Sequence, residues 1–269
     1  MKNYRIEITY DGSRYKGWQV QKNEENTIQG KLQKVLSFLM EEPVEVIGSG
    51  RTDAGVHAIA QTANFHLEEA LAGLRLQQAG CCPKPGTPLE EALLIYLNRY
   101  LPEDIAVKRV IEVPDRFHAR YSAISKTYRY RIHVSPIPDV FERRYVYTYI
   151  DAPLDTGLMR QAAADLCGKH DFAGFCGNKH MKKSTVRTIS SIVITEIKNE
   201  DDSVKEIRID YTGDGFLQNM VRILTGTLIE VGSGRREADS MPALLEAKDR
   251  QQAGYTAPAQ GLALLGVEY

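Results

Sequence analysis

One short, glycine-punctuated stretch constrains this chain more than any other: Val46-Ile47-Gly48-Ser49-Gly50-Arg51-Thr52-Asp53-Ala54-Gly55-Val56-His57-Ala58. Three glycines within eight residues permit tight or left-handed backbone that a side chain would forbid. Alternating apolar residues flank it, Val46 and Ile47 before and Ala58 to Phe65 after. The pattern predicts strand, loop, strand, with Arg51, Thr52, Asp53 and His57 presented by the loop on a rigid sheet.

Composition narrows the class without naming a partner. The 269 residues are 43% hydrophobic and 26% charged, enough for one or two cores of ordinary globular type. Thirty-four Lys and Arg against 35 Asp and Glu leave a net charge of −1. A polyanion-binding surface therefore has to gather its cations locally. No apolar run approaches a membrane span, so no membrane association is expected, and Met1-Lys2-Asn3-Tyr4-Arg5 leads into a strand pattern and not a signal peptide. Cys81, Cys82, Cys167 and Cys176 show no disulfide framework, which points to a reducing cytoplasm.

Periodicity gives the elements. Tyr4–Tyr10 alternates as a half-buried strand; Asn26, with Gln29 three residues on, suggests the cap of a helix carrying Ile28, Leu32, Val35, Leu36 and Leu39. Gln61–Leu67 reads as a strand; from Glu68 to Pro88 the texture changes, with Cys81–Pro88 an irregular surface excursion; Leu89–Leu101 reads as a helix and Ile105–Val113 as a strand. Lys126–Val134, Arg187–Lys198 and Val204–Tyr211 follow as strands, Leu158–Cys167, Leu217–Val231 and Met241–Lys248 as helices, and Gly261–Tyr269 as a closing strand. The order fits an α+β chain of two similar halves, 1–115 and 116–269, each a mostly antiparallel sheet with helices on one side.

Several constellations carry chemistry, each beside a plainer reading. Asp53 is a carboxylate at neutral pH, its free pKa being about 3.9. Beside Arg51 it suits a nucleophile or an electrostatic stabiliser, or it simply caps its own turn. A Ser49/His57/Asp53 triad is poor geometry within one loop. Gly48-Ser49-Gly50 and Val231-Gly232-Ser233-Gly234 are weak phosphate-loop signals, the second reading as a helix stop. Cys167, His170, Cys176 and His180 have a spacing that zinc could use, although the intervening Phe172 and Phe175 suggest a packed turn; no metal is expected. The lone Trp18 is a packing anchor or a ligand contact. Basic clusters at Arg14 and Lys16, Arg116 and Arg120, Arg143 and Arg144, Lys179 to Lys183 and Arg235 and Arg236 are solvated faces by default. Interleaved with Tyr15, Trp18, Phe117, Tyr121, Tyr128 and Tyr130, they would also suit RNA.

The stretch from Gly48 to Ala58 resembles the catalytic signature of the tRNA pseudouridine synthase A family. Thr9-Tyr10-Asp11-Gly12 with Tyr15-Lys16-Gly17-Trp18-Gln19, Phe117 to Ala123, Lys126 to Tyr130, Phe216 to Arg222 and Gly261-Leu262 resemble its other motifs in order. The resemblance implies an isomerase that detaches uracil at N1, turns it and rejoins it through C5, on the 3′ side of the tRNA anticodon stem-loop. No cofactor is implied, because nothing is oxidised or added. It also implies the two halves' sheets joined into one extended sheet, helices on the outer face and a catalytic cleft between the halves. By the same resemblance Asp53 is the essential carboxylate, Arg51 fills the space left by a flipped nucleotide, Tyr128 packs on the target base, Arg222 pairs with Asp53, and Leu262 is a further substrate contact. A homodimer is implied. Arg14, Lys16, Lys179, Lys182 and Lys183 are RNA-contact candidates, the Lys179 to Lys183 run being locally distinctive and not part of the resemblance. The segment from Leu71 to Pro88 exceeds the connection expected from the resemblance. A non-catalytic RNA-binding module and a nucleotide-dependent enzyme are the competing readings.

Overall fold

The computed structural model describes residues 1–22, 24, 26–178 and 181–269. It is a mixed α/β chain with mostly antiparallel pairing, and it divides into two compact units, Met1–Ile124 with Leu264–Tyr269, and Ser125–Ala263. The expected break at 115/116 therefore falls inside the first unit, to which the last residues of the chain also return.

In the first unit β1 (Lys2–Tyr10) is followed by α1 (Ile28–Met40), β2 (Ile47–Gly48), β3 (His57–Leu67), α2 (Glu69–Gln78), α3 (Leu89–Tyr100) and β4 (Ile105–Val113). β1 is the hub, antiparallel to β3 on one edge and to β4 on the other. Its alternation has the physical cause the sequence suggests: Tyr4, Ile6, Ile8 and Tyr10 are buried, while Arg5, Glu7 and Thr9 occupy the opposite face. The core is completed by Phe65 and Leu67, by Ile28, Leu32, Leu36 and Leu39 of α1, and by Leu93, Tyr96 and Leu97 of α3.

Two details differ from expectation. The helix cap is Thr27, whose hydroxyl accepts from Gly30 N; Asn26 instead donates its amide to Arg14 O, and Gln29 ties Val20 N and Val46 O. Ahead of the irregular Cys81–Pro88 stretch, Glu69–Gln78 is a helix that the sequence pattern leaves unassigned. Glu68 caps it by accepting from Ala70 N and Leu71 N, and the Arg99 guanidinium meets the carbonyls of Ala79 and Gly80 at its other end. Only Ala72 and Leu76 of α2 are buried, and Gly73 sits mid-helix, so its apolar stripe is too thin to show as periodicity.

The second unit runs β5 (Ser125–His133), β6 (Tyr147–Thr148), α4 (Thr156–Asp165), β7 (Gly168–Asp171), β8 (Val186–Lys198), β9 (Val204–Gly213), α5 (Met220–Gly232) and α6 (Met241–Ala247). Its strands pair in the order β5, β9, β8, β7, all antiparallel, with the short β6 parallel to β5. β5 is two-faced: Tyr128, Tyr130 and Ile132 are buried, while Arg129 and Arg131 pair across the ladder with Asp210 and Glu206. α5 carries the densest core, with Ile223, Leu224, Leu228, Ile229 and Val231 all buried. It starts at Met220 and not Leu217, because Asn219 takes a left-handed φ of 58°. β10 (Leu262–Glu268) closes the chain and lies next to β3. No helix of the described residues is long and apolar enough to cross a membrane.

Candidate active site

The Asp53 loop is the connection between β2 and β3, and neighbouring groups hold nearly every residue of it. Ser49 N donates to Thr62 O (2.8 Å), and Ser49 Oγ donates to Gln61 Oε1 (2.5 Å). The Gln61 amide in turn donates to Gly50 O. Thr52 is buried, with its hydroxyl 2.8 Å from Tyr10 OH and its carbonyl accepting from Trp18 N. Gly55, at φ +78°, donates to Tyr15 O, and Val56 N closes a turn onto Asp53 O (3.1 Å). Arg51 is exposed and Asp53 half-buried.

The loop after β1 forms the other wall of this cradle. Gly17 has φ +93°, and a Cβ there would lie 2.7 Å from Thr52 O, so only glycine lets the two loops run together. Trp18 is 2% exposed and covers Gly48, where an added Cβ would come within 2.5 Å of the indole. The lone tryptophan is a packing anchor for the catalytic-signature loop. Gly12 N donates to His57 Nδ1 (3.0 Å), and Asp11 Oδ1 lies 3.2 Å from the same nitrogen. Ser49 and His57 are thus occupied with different partners, and the Ser49/His57/Asp53 triad is not assembled.

In the second unit, Tyr128 is 7% exposed and meets the edge of Phe216 at 5.3 Å and 84°. Arg222 lies in the first turn of α5, where its Nε donates to Ala257 O (2.7 Å) and Nη1 to Asn219 Oδ1 (2.9 Å). The segment supplying Ala257 is seated on α5, with Gly254 N donating to Thr227 Oγ1 and Pro258 O accepting from Tyr130 OH (2.7 Å). Gly261 abuts the Tyr130 ring, and Leu262 follows, buried at the start of β10. Burial pushes the Tyr130 phenol far above its ordinary pKa, so it remains a neutral donor at any working pH. Phe216, Asn219 and Ala257 position these groups; Phe216 and Asn219 fall within the Phe216–Arg222 motif, whereas Ala257 carries no signal that singles it out in sequence.

The RNA-contact candidates are placed unevenly. The Arg14 guanidinium is held by Asp104 through Nε (3.0 Å) and Nη2 (2.7 Å), whereas Lys16, Lys182 and Lys183 are exposed and without ion pairs among the described residues. Lys179 lies outside the described residues, as does His180 of the zinc spacing. Of the remaining three in that set, the Cys167 thiol donates to Ala163 O, the His170 ring pairs with Cys167 O, and the Cys176 thiol donates to Asn178 O. Among the described residues no group of three His, Cys, Asp or Glu is placed to hold a metal ion.

A family model described as tRNA pseudouridine synthase matches residues 7–122 and 162–269. The chain belongs to the tRNA pseudouridine synthase family.

Membership makes it an isomerase. Curated relatives agree: a tRNA pseudouridine synthase A of Bacillus sp. strain KSM-64 is 46% identical over 269 residues, covering 100% of both chains. A tRNA pseudouridine synthase A 2 of Bacillus anthracis is 43% identical and a tRNA pseudouridine synthase A of Acetivibrio thermocellus 41%, each again covering 100% of both chains. These alignments span the 71–88 segment. Among solved structures, a chain of a Cbf5-Nop10-Gar1 complex aligns over 84% of this chain and 54% of its own length, at TM-score 0.31 and 10% identity, a likeness too loose to bear on the fold. The family match includes Arg51, Asp53, Arg222 and Leu262, whereas Tyr128 lies between its two spans.

Proposed function

We propose that this chain converts uridine to pseudouridine on the 3′ side of the tRNA anticodon stem-loop, at three adjacent positions, with Asp53 as nucleophile. The observation that carries the reading is the cradle in the first unit: buried groups fix the loop backbone on both sides of Asp53 while the carboxylate stays half-buried. A carboxylate carried on a fixed backbone needs little reorganisation when a reacting centre arrives, which favours attack over solvent competition.

In the reaction the N1–C1′ bond breaks, the base turns, a C5–C1′ bond forms, the C5 proton leaves to solvent and N1 takes up a proton from solvent. Atoms balance without a redox partner. A stacked uridine is out of reach, so the nucleotide flips at a cost of roughly a few kcal/mol. Arg51, exposed two residues from Asp53, fills the space it leaves; Tyr128 packs on the flipped base, and Arg222 keeps Asp53 ionised. Lys16, Lys182 and Lys183, with Arg14 and Lys179, meet phosphates. With a net charge of −1, a homodimer pools two sets of cations over one tRNA. The four free thiols suit a reducing cytoplasm.

The test is to incubate the purified chain with unmodified tRNA and map pseudouridine by a derivatisation that blocks reverse transcription. Stops on the 3′ side of the anticodon stem support the proposal. Tight, salt-sensitive tRNA binding without any stop makes the chain a binding module instead.

A further inference from the structure

The segment joining β4 to β5, residues 114–124, has no regular secondary structure, yet buried groups pin it from end to end. Asn3 Nδ2 reaches the carbonyls of Pro114, Asp115 and Phe117, the last at 2.9 Å. Asn64, 61 residues from Asn3, donates to Asn3 Oδ1 (3.0 Å) and accepts from Ala119 N (2.9 Å). Tyr269 OH donates to Ala119 O (2.8 Å), its ring lies 5.0 Å from Phe117, and the Arg5 guanidinium sits near both rings. Ala119 is fully buried.

What this network holds still is an outward-facing set of groups. Tyr121 is 79% exposed, and Arg116 and Arg120 are exposed and not ion-paired among the described residues. Tyr121 is not a loose surface aromatic. Its ring leans on His118 at 4.3 Å and 33°, and His118 Nδ1 accepts from both Arg120 N (3.1 Å) and Tyr121 N (3.2 Å). The ring of His118 is fixed in turn because its backbone exchanges two hydrogen bonds with Ser122, one to the hydroxyl and one from the amide. The neighbouring acid, Asp115, is turned to His66 (3.2 Å).

Fixing a ring that is 79% exposed costs rotamer freedom and hides little apolar area, so the fold gains little from it. An exposed ring propped by an imidazole, on a segment that also carries two exposed guanidinium groups, matches one kind of ligand well: an unpaired nucleobase with its neighbouring phosphates. We infer that Tyr121, set by His118, is a stacking platform for an unpaired base of the substrate RNA, with Arg116 and Arg120 on the flanking phosphates. This is a contact separate from the Asp53 loop, and it rests on the reading that the substrate is tRNA. An anticodon loop supplies such bases next to the stem that is modified.

The experiment uses the full chain and an anticodon stem-loop RNA carrying 2-aminopurine at each loop position in turn, since stacking quenches its fluorescence. Wild type quenches one position. Tyr121→Ala abolishes that quench and raises KM roughly five- to 150-fold with kcat retained, the range expected for losing one stacked base. Tyr121→Phe and Tyr121→Trp restore both, and Arg120→Ala lowers the salt slope of binding by about one. An unchanged urea midpoint confirms that the exposed substitution leaves folding alone. If wild type makes pseudouridine while Tyr121→Ala binds and quenches as wild type does, or if Tyr121→Phe is as impaired as Tyr121→Ala, the platform is wrong. If wild type makes no pseudouridine, the tRNA reading itself fails.

Discussion

The contact between Trp18 and Gly48 sets how well the signature loop is held, and a double-mutant cycle measures it. Gly48→Ala places a methyl 2.5 Å from the indole of a side chain that is itself 2% exposed, so neither partner has room to give. Overpacking of this kind costs about 1–3 kcal/mol. Trp18→Ala removes the indole and leaves a cavity, at about 3–5 kcal/mol. Independent sites would sum to about 4–8 kcal/mol, comparable with a domain's whole stability of about 5–15 kcal/mol. Here they should not sum. Without the indole the Gly48→Ala methyl projects into the vacated space, so the double variant should be no less stable than Trp18→Ala, with a coupling of about 1–3 kcal/mol in its favour. Urea unfolding with constant m reads the cycle directly. Because Gly48 and Ser49 begin the loop, Gly48→Ala alone should also lower kcat by up to about a hundredfold, the cost of a misplacement near 1 Å. Additive stability losses would refute the packing argument.

Three further perturbations follow from the same geometry. Tyr10→Phe removes the 2.8 Å contact to the buried Thr52 hydroxyl; it should cost about 1–2 kcal/mol and lower kcat more than it changes KM, read from urea melts and steady-state kinetics. Glu206 is buried, which raises its pKa, but the guanidinium groups of Arg131 and Arg208 outweigh burial and hold it below the usual carboxylate range. Its stabilisation is therefore complete above the unfolded value of about 4.3 and lost as pH falls through the lower folded value. Glu206→Gln should cost roughly 1–3 kcal/mol at neutral pH, and its urea midpoint should fall less steeply in acid than that of wild type. Gly226→Ala would drive a methyl into the Tyr255 carbonyl that packs on α5, so it should displace the segment bearing Ala257 and reduce the thermal midpoint, while Gly234→Ala, in open space, should cost only its left-handed backbone.

Much of the fold is legible because its signals are local. The alternation of Ile105–Val113 and of Lys126 to His133 reports strands whose two faces meet different surroundings, and the structure has both. α2 escapes because two buried side chains and a central glycine make no stripe, and β6 and β7 because two to four residues make no period. The signature loop is visible from its glycines and charges, but what fixes it is not. Trp18 reads as an anchor in sequence, but what it anchors is seen only once Gly48 is known to lie beneath it, and His57 meets Gly12, 45 residues away. The segment carrying Tyr121 looks irregular in sequence, since the amides that pin it come from Asn3 and Asn64 on two different strands. Pattern reasoning sees neighbours along the chain; this cradle is built from neighbours across it.

The central claim is that the Asp53 carboxylate performs the isomerisation. Its most direct test is tritium release from tRNA labelled at C5 of uridine, under single-turnover conditions with Asp53→Asn, which keeps size and hydrogen bonding but removes the charge. Forming the C5–C1′ bond expels the label into water, so wild type should release it. Asp53→Asn should release none above background while binding the tRNA as tightly as wild type. Release by Asp53→Asn at a rate near that of wild type would contradict the account.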